Sequence, residues 1–209
     1  VNADMSVSGG NKKSNYYVGA AASHREGIIR TNSMDKINLS FKLNHKFNKW
    51  LEVGANNSAN YVKNNQVPGH NSGAMIIGRA ILQRPFDRPY APDGSYFTGG
   101  TDALTYHNAL QILNEEISYI ENLRFIGSYY ATLKFFEDKL TFKNSVNTDI
   151  LALYDYTNYF ATHPYGEGVG LITDRNQTTL NYSIESVLNY NDSLLDGDVN
   201  YNVMLGHSW

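Results

Sequence analysis

Apolar and polar residues alternate along most of this chain with a period of two. Residues 37–44 read Ile-Asn-Leu-Ser-Phe-Lys-Leu-Asn, and every position obeys the alternation. Successive side chains of a strand point to opposite sides of a sheet, so the pattern predicts a strand with one apolar and one polar face. Seven further runs share it, with Ile126 and Tyr130 as exceptions, at residues 3–7, 16–22, 51–61, 123–135, 140–152, 180–190 and 199–209. We therefore expect an all-β, antiparallel up-and-down meander of about eight long strands.

The lengths of the runs and of their connections favour a membrane barrel over a soluble sandwich. Several runs keep their parity for about ten residues or more, against about 5–6 in an average soluble strand and about 9–11 in a membrane-crossing one. Tight connections at residues 9–14, 48–49, 137–139 and 192–198 alternate with long ones at 25–34, 63–120 and 155–173. Outer-membrane barrels have short turns at the periplasmic end and long loops outside, so the alternation predicts that arrangement.

Each face has the composition that this arrangement requires. Aromatic residues of the apolar parity lie near the tight turns, as an aromatic girdle at one bilayer interface requires, at Tyr16, Phe47, Phe135, Phe142, Tyr190 and Tyr201. The polar parity is rich in Asn, Ser and Thr, which suits a hydrated lumen or a plug, at Asn38, Ser40, Asn44, Ser145, Asn147, Thr179, Asn181 and Ser183. The residues predicted to face lipid are Leu39, Phe41, Leu43, Phe125, Leu133, Phe142, Leu180, Tyr182, Val203 and Leu205.

Composition narrows the class further. Of the 209 residues, 42% are hydrophobic and the mean hydropathy is -0.42, which is too polar for a bundle of membrane helices. There is no cysteine, so disulfides and thiolate metal sites are excluded, and a net charge of -3 makes nucleic acid a poor candidate for a partner. Residues 1–10 lack a secretion signal, so we expect that any signal was removed or lay upstream and that the sequence is not a whole gene product.

The chemically suggestive residues do not form a recognised catalytic or metal pattern. The six histidines are scattered without HExxH spacing, and the glycines of residues 166–170 lack the strand and helix that surround a phosphate-binding loop. Glu115 and Glu116, with Asp102, resemble a glycosidase pair only superficially, because residues 102–117 are more simply a short amphipathic helix in a loop. We therefore expect no enzymatic activity, no cofactor and no metal.

Several segments resemble SusC/RagA-type TonB-dependent outer-membrane transporters. SVSGGNKKSNYYV at residues 6–18 and REGII at 25–29 resemble the hairpin and loop that follow the plug domain in that family. NHKFNKWLEVGAN at 44–56 is similar to its next tight turn, and RPFDRPYAPDGSY at 84–96 to an external segment. NLRFIG at 122–127 and LTFKNS at 140–145 resemble a later hairpin. The order and spacing of these motifs, over nearly the whole chain, carry the resemblance.

The resemblance implies a fold, a function and a set of partners. It implies a 22-stranded transmembrane β-barrel, of which residues 1–209 would be a partial barrel without the plug or the TonB box. It also implies an importer of oligosaccharides or peptides in the outer membrane of a Gram-negative bacterium. The implied partners are a SusD-like surface lipoprotein, TonB acting through the absent plug region, outer-membrane lipid and the imported substrate.

Residues 63–120 are expected to form a long extracellular loop in which specificity resides, because loops of that length are usually functional. The residues expected to contact substrate or partner mix charges with aromatic rings: Arg84, Asp87, Arg88, Tyr90, Asp93, Tyr96 and Phe97. The alternative for this segment is that Pro85, Pro89 and Pro92 merely stiffen a turn of ordinary polar residues.

Three other interpretations of the whole chain remain open at this point. A complete eight-stranded barrel is favoured by chain length and by Trp209, which resembles an outer-membrane assembly signal. A soluble β-sheet binding module exported to the cell surface is the second. The third is a proteolytic or otherwise partial form of the larger importer.

Overall fold

The computed structural model describes residues 1–68, 75–82, 86–97, 107–194 and 198–209. It contains eight strands and two short helices in these ranges, in the order β1 (Asn2–Gly10), β2 (Ser14–Glu26), β3 (Ser33–Lys46), β4 (Leu51–Asn65), α1 (Met75–Leu82), α2 (Ala109–Glu115), β5 (Glu116–Phe135), β6 (Leu140–Tyr159), β7 (Leu171–Leu194) and β8 (Val199–Ser208). Seven of the eight alternating runs lie within one of these strands and the eighth, residues 199–209, extends one residue beyond β8, because the pleat of a strand has the same period of two.

The strands form one antiparallel sheet in which each strand pairs with its sequence neighbours, in the order β1 to β8. The predicted all-β meander is thus confirmed, whereas the total of 22 strands stays a prediction. In the described residues, β1 and β8 each pair with one neighbour only, so these eight strands do not close on themselves. The open edges argue against a complete eight-stranded barrel, since closure requires the first and last strands to pair.

Register places the apolar positions of all strands on one face. One row across the sheet, for example, joins Met5, Ala20, Leu39, Ala59, Phe125, Ile150 and Leu180 through consecutive pairs. Many of these side chains are exposed: Leu39 by 51%, Leu180 by 59% and Leu205 by 66%. The described residues contain one extended sheet and no second sheet packed on this face. A sandwich core would have buried these positions, and here they remain open.

The opposite face is a continuous polar surface. The Ser128 hydroxyl donates to Asn147 (2.7 Å), and the Asn147 amide donates to Ser183 (3.2 Å), which links three strands. The Arg124 guanidinium makes two hydrogen bonds to the Asp149 carboxylate, at 2.9 and 2.6 Å. Side chains of one strand thus satisfy the polar groups of the next, which holds this face in a defined arrangement.

Tyr130, an exception to the apolar pattern, belongs to this polar surface for a structural reason. Its hydroxyl donates to the Asn44 side chain two strands away, and the glycine between them is Gly54. A Cβ on Gly54 would lie 2.3 Å from the Tyr130 ring, so only glycine leaves room for the ring to cross. The Lys143 ammonium lies 4.7 Å from the centre of the same ring.

The apolar face also departs from the pattern at one place. Asn57, Gly127 and Thr148 lie side by side in adjacent strands, in the row that includes Phe41 and Tyr182. The sequence pattern passed over Asn57 and Thr148 because their neighbours two positions away are apolar. The Asn57 Oδ1 atom is buried and has no hydrogen-bond partner among the described residues. The face is therefore apolar except at Asn57 and Thr148.

Short and long connections lie at opposite ends of the sheet, as predicted, but the long ones are shorter than expected. The strands extend further toward that end, leaving residues 27–32, 66–115 and 160–170 as loops in place of 25–34, 63–120 and 155–173. Between β2 and β3, for example, Glu26 still pairs with Ser33 and the Gly27 amide donates to the Asn32 carbonyl at 2.8 Å. Polar side chains at a strand end do not interrupt a ladder whose bonds are made by the backbone.

Among the described residues, the two helices and the buried apolar side chains lie at the long-loop end. The buried apolar side chains here are Ile76, Ala109 and Ile112, from α1 and α2. The predicted helix at residues 102–117 is wrong at its C-terminal end: α2 ends at Glu115, and Glu116 and Ile117 already pair with β6. The beginning of that predicted helix lies outside the described residues. Neither described helix has the length and apolar character needed to cross a bilayer.

Candidate functional site

A small hairpin stands in the loop between β4 and β5. We call residues 89–97 the loop hairpin. Tyr90 and Tyr96 form an antiparallel bridge, the Ala91 amide donates to the Ser95 carbonyl at 2.8 Å, and the Phe97 amide donates to the Pro89 carbonyl at 3.2 Å. Gly94 adopts a φ of 83°, which glycine tolerates and other residues rarely do. The Ala-Pro-Asp-Gly-Ser sequence thus forms an ordered turn.

Asn108 joins the loop hairpin to helix α2. Its side-chain oxygen accepts from the Leu110 amide (2.9 Å) and the Gln111 amide (3.4 Å) as the N-cap of the helix. Its side-chain nitrogen donates to the carbonyls of Pro89 (2.8 Å) and Phe97 (3.1 Å), at the two ends of the hairpin. One buried amide therefore satisfies four backbone groups, and the hairpin is held in a fixed position relative to α2.

The two tyrosines of the loop hairpin form an accessible aromatic pair. The Tyr90 and Tyr96 rings lie 5.5 Å apart and are tilted by 32°, and Tyr90 is 45% exposed. The Asn114 side chain of α2 donates to the Tyr96 hydroxyl at 2.8 Å and accepts from Arg30 of the β2–β3 loop. Two loops and a helix thus position this pair, so its rings form a platform whose orientation is set before anything binds.

Asp93 has a structural role in the turn. Its carboxylate accepts from the Ser95 hydroxyl (2.7 Å) and the Ser95 amide (3.0 Å), and the hydroxyl, followed by the amide, lowers the pKa of Asp93 below its ordinary value. The two hydrogen bonds close a local turn that mimics a backbone turn. Both of these contacts of Asp93 therefore stabilise the turn of the loop hairpin.

The structure brings most of the predicted contact residues together. Arg88 is exposed and Asp87 is half-buried directly before the hairpin in the chain, and Phe97 is half-buried at the hairpin base. Arg84 lies outside the described residues. Sequence reasoning missed the supporting residues Arg30, Asn108, Gln111, Asn114 and His163. Asn108 carried a recognisable signal, since an Asn directly before an apolar helical run is a preferred N-cap.

The β6–β7 loop is held beneath α2 by buried polar contacts. The Gln111 side chain donates to the Thr162 carbonyl (2.6 Å) and to Glu115 (3.0 Å), and the Thr162 hydroxyl donates to Glu115 at 2.9 Å. Glu115 and Glu116, the suspected glycosidase pair, are thus divided between two environments: Glu115 binds this loop, whereas Glu116 is buried beside His163.

His163 is almost fully buried at the centre of this loop. Its ring stacks on Tyr159 with a centroid distance of 4.8 Å, and its Nδ1 accepts from the Tyr165 amide at 3.1 Å. Its Nε2 lies 3.9 Å from the Glu116 carboxylate, beyond hydrogen-bond distance. Burial lowers the pKa of His163, so the neutral ring is favoured. A proton on Nδ1 would face the Tyr165 N–H, which reinforces the neutral form.

The chain is similar to a known receptor in sequence and to known transporter structures in fold. No family model matches the sequence. A TonB-dependent receptor, P26 of Formosa agariphila, is 27% identical over 131 residues, which is 62% of this chain and 12% of that protein. The structure of the RagAB peptide transporter aligns with 99% of this chain, and the alignment covers 24% of the transporter chain, with a TM-score of 0.76 and 18% sequence identity. The RagAB importer in its closed-closed state matches with a TM-score of 0.77 and 19% identity.

The chain thus shares the fold of part of the RagAB transporter structures, and its sequence is similar to part of a TonB-dependent receptor. This confirms the resemblance drawn from the sequence motifs. The segment spans about a quarter of the solved chains that it matches and a smaller share of the curated relative. Those relatives are named as receptors, transporters and importers, none of them as an enzyme.

Proposed function

We propose that this barrel segment is part of the wall of a TonB-dependent importer, with its apolar face in lipid and its polar face toward the lumen. The observation that carries the proposal is the open single sheet, whose apolar face is exposed while its polar face forms side-chain networks. The predicted lipid-facing residues, Leu39, Phe41, Leu43, Phe125, Leu133, Phe142, Leu180, Tyr182, Val203 and Leu205, share that face by register.

The height of the apolar face supports this orientation. On β5 the apolar positions between Glu121 and the girdle residue Phe135 run from Leu123 to Leu133, and the ten residue steps between these two, at about 3.3 Å each, extend about 33 Å along the strand. A strand tilt of about 40° reduces this to about 25 Å, the height of the apolar band on outer-membrane barrels. The next outward position is Glu121, which pairs with Lys63 at 2.8 Å. The band thus ends where charge begins.

The loops then face the cell exterior and the tight turns face the periplasm, as in other outer-membrane barrels. In this orientation the loop hairpin is the part of the chain that contacts substrate or partner, through Arg88 and the Tyr90–Tyr96 platform. Paired aromatic rings and an exposed arginine two residues before Tyr90 suit a peptide or an oligosaccharide. The RagAB structures, named as a peptide transporter or importer, favour a peptide.

The proposed assembly has three further components. A SusD-like surface lipoprotein would cover the loop end, TonB would act through a plug that occupies the lumen, and lipid would surround the apolar face. The polar face is suited to a plug because its Asn, Ser and Thr side chains offer hydrogen-bond donors and acceptors to a hydrated partner. The wall itself is passive, and energy for import would come through TonB.

Single cysteines test the orientation, because the chain contains none of its own. Leu39→Cys and Phe41→Cys should resist a charged maleimide in the full-length protein in vesicles and react with it after unfolding in denaturant, because a thiol in lipid stays protonated and the reagent cannot enter. Ser40→Cys, the matched control one position away on β3, should react with the charged reagent when the lumen is accessible. Equal reaction of Leu39→Cys and Ser40→Cys with the charged reagent would refute the proposed facing.

The role of the loop hairpin requires a separate test. Tyr90→Ala should lower uptake of a peptide or glycan nutrient by a strain that depends on this importer, while surface expression is unchanged. Phe86→Ala, a nearby exposed ring outside the hairpin, is the control. Growth on defined peptides and on defined glycans identifies the substrate class, and full uptake by Tyr90→Ala would remove the hairpin from the proposal.

A further inference from the structure

Three tyrosines form a continuous cluster on the apolar side of the sheet, just beyond the apolar band. Tyr119 and Tyr156 stack with centroids 5.1 Å apart, Tyr119 and Tyr154 lie 5.9 Å apart, and Tyr154 and Tyr156 lie 6.3 Å apart. All three are half-buried, so their ring faces remain partly accessible. We call them the tyrosine cluster.

Register decides which side of the wall presents this cluster. Tyr119 is two positions from Glu121 and four from Leu123, and it pairs with Tyr156 on β6. Tyr154 is two positions from Ala152 in the same way. Because side chains two apart share a face, the cluster continues the face of Leu123 and Phe125. Under the proposed function this is the lipid side of the barrel, so a nutrient in the lumen does not reach these rings.

Polar groups border the tyrosine cluster. The Lys63 ammonium lies 4.4 Å from the centre of the Tyr119 ring and 2.8 Å from the Glu121 carboxylate. On the other side, the Asp174 carboxylate accepts from the Tyr154 hydroxyl at 3.2 Å and from the Asn176 amide at 3.3 Å. Stacked rings flanked by carboxylates and an ammonium match a sugar ring, whose C–H face packs on aromatic rings while its hydroxyls bond to the polar border.

Charge and position together select the occupant. Two carboxylates and one ammonium leave the border with a net negative charge, so a bare phosphate headgroup is a poor match. The cluster lies at the loop end, directly above the apolar band and at the level of the headgroups of the outer leaflet. We infer that the tyrosine cluster binds a sugar ring that carries no phosphate, in the headgroup of an outer-leaflet glycolipid such as lipopolysaccharide. This inference rests on the proposed function, because it requires the apolar face to be in lipid.

The test measures glycolipid bound to the full-length protein in phospholipid nanodiscs, by native mass spectrometry during titration with lipopolysaccharide that carries core sugars. Tyr119→Leu and Tyr156→Leu keep an apolar side chain and should each weaken binding about tenfold. Asp174→Asn changes an exposed residue with little packing role and should weaken binding several-fold. Tyr129→Leu, on the same face within the apolar band, is the matched control and should bind like the wild type.

Two other ligands show whether the sugar ring and the lipid anchor both contribute to affinity. Phosphatidylglycerol, which has a phosphate but no sugar ring, should bind equally to the wild type and to Tyr119→Leu. Free core oligosaccharide should bind far more weakly than the membrane-anchored form. The inference would be overturned if the wild type, Tyr119→Leu, Tyr156→Leu and Asp174→Asn all bound lipopolysaccharide equally, or if Tyr129→Leu lost as much binding as the cluster variants. It would also be overturned if free oligosaccharide bound as well as the glycolipid.

A failure here is distinguishable from a failure of the proposed function. Insertion of the wild-type protein into the nanodisc as a folded barrel, seen as heat-modifiable gel mobility, depends on the apolar face and not on the tyrosine cluster. Normal insertion without glycolipid preference would refute only the glycolipid site, whereas absence of insertion would refute the proposed orientation.

Discussion

Lysine placed on β3 measures the environment of the two faces. Phe41 lies on β3 midway between Asp35, the charged residue of this face at the loop end, and Phe47 at the tight turn. In the proposed orientation Phe41 is therefore close to the bilayer midplane. Leu39 is two residues closer to the loop end, which at about 3.3 Å per residue and a tilt of about 40° places it about 5 Å from Phe41 in depth.

The cost of a lysine in lipid is about 2–4 kcal/mol at the midplane and falls to about 0–1 kcal/mol at the interface. We therefore expect Phe41→Lys to lower the free energy of unfolding by about 3 kcal/mol and Leu39→Lys by about 2 kcal/mol. Ser40→Lys, on the opposite face beside Gly19 and Ser58, should change it by less than about 0.5 kcal/mol.

The assay is denaturant-induced unfolding of the full-length protein in phospholipid vesicles, with the folded fraction taken from its gel mobility without heating. The decisive quantity is the order of the three variants, because a general effect of added charge would act on all of them alike. A cost at Ser40 equal to that at Phe41 would refute the assignment of faces. Equal costs at Phe41 and Leu39 would refute the depth calculation alone.

Three further predictions concern the wall and the loops. Gly54→Ala should lower the free energy of unfolding by about 1–3 kcal/mol, because the added Cβ collides with Tyr130. The double variant with Tyr130→Ala should recover part of this stability in the same unfolding assay. Asn108→Ala should remove a helix cap, at about 1 kcal/mol, and leave two carbonyls unpaired; hydrogen exchange should then rise in the loop hairpin and not in the strands. His163 has a lowered pKa, so its neutral form contributes stability that is present above about pH 6.5 and is lost as the pH falls through the pKa of His163 in the folded protein. Hydrogen exchange in the β6–β7 loop should therefore rise on acidification. The His163→Asn variant keeps a hydrogen-bond acceptor but does not titrate, so it should abolish that pH dependence.

The local pattern of the sequence was sufficient for the strands and their facing. Alternation is a property of neighbouring residues and of the pleat, so Ile37, Leu39 and Phe41 already identify β3 and its two sides before any partner strand is known. Polar strand ends were harder to recognise: Glu26 and Ser33 pair through their backbones, and backbone hydrogen bonds leave no mark on side-chain composition. That is why the loops were predicted too long.

Contacts between distant residues were decided only by the tertiary structure. The contacts of Asn108 with Pro89, of Tyr130 with Asn44 and of Lys63 with Tyr119 are of this kind. Strand register and loop closure bring these residues together, and no characteristic sequence spacing relates the members of a pair. The sequence by itself determined an alternating sheet with its tight turns, since those depend on interactions a few residues apart. The loop platform and the tyrosine cluster exist only after the backbone has paired strands tens of residues apart, so no periodicity could have predicted them.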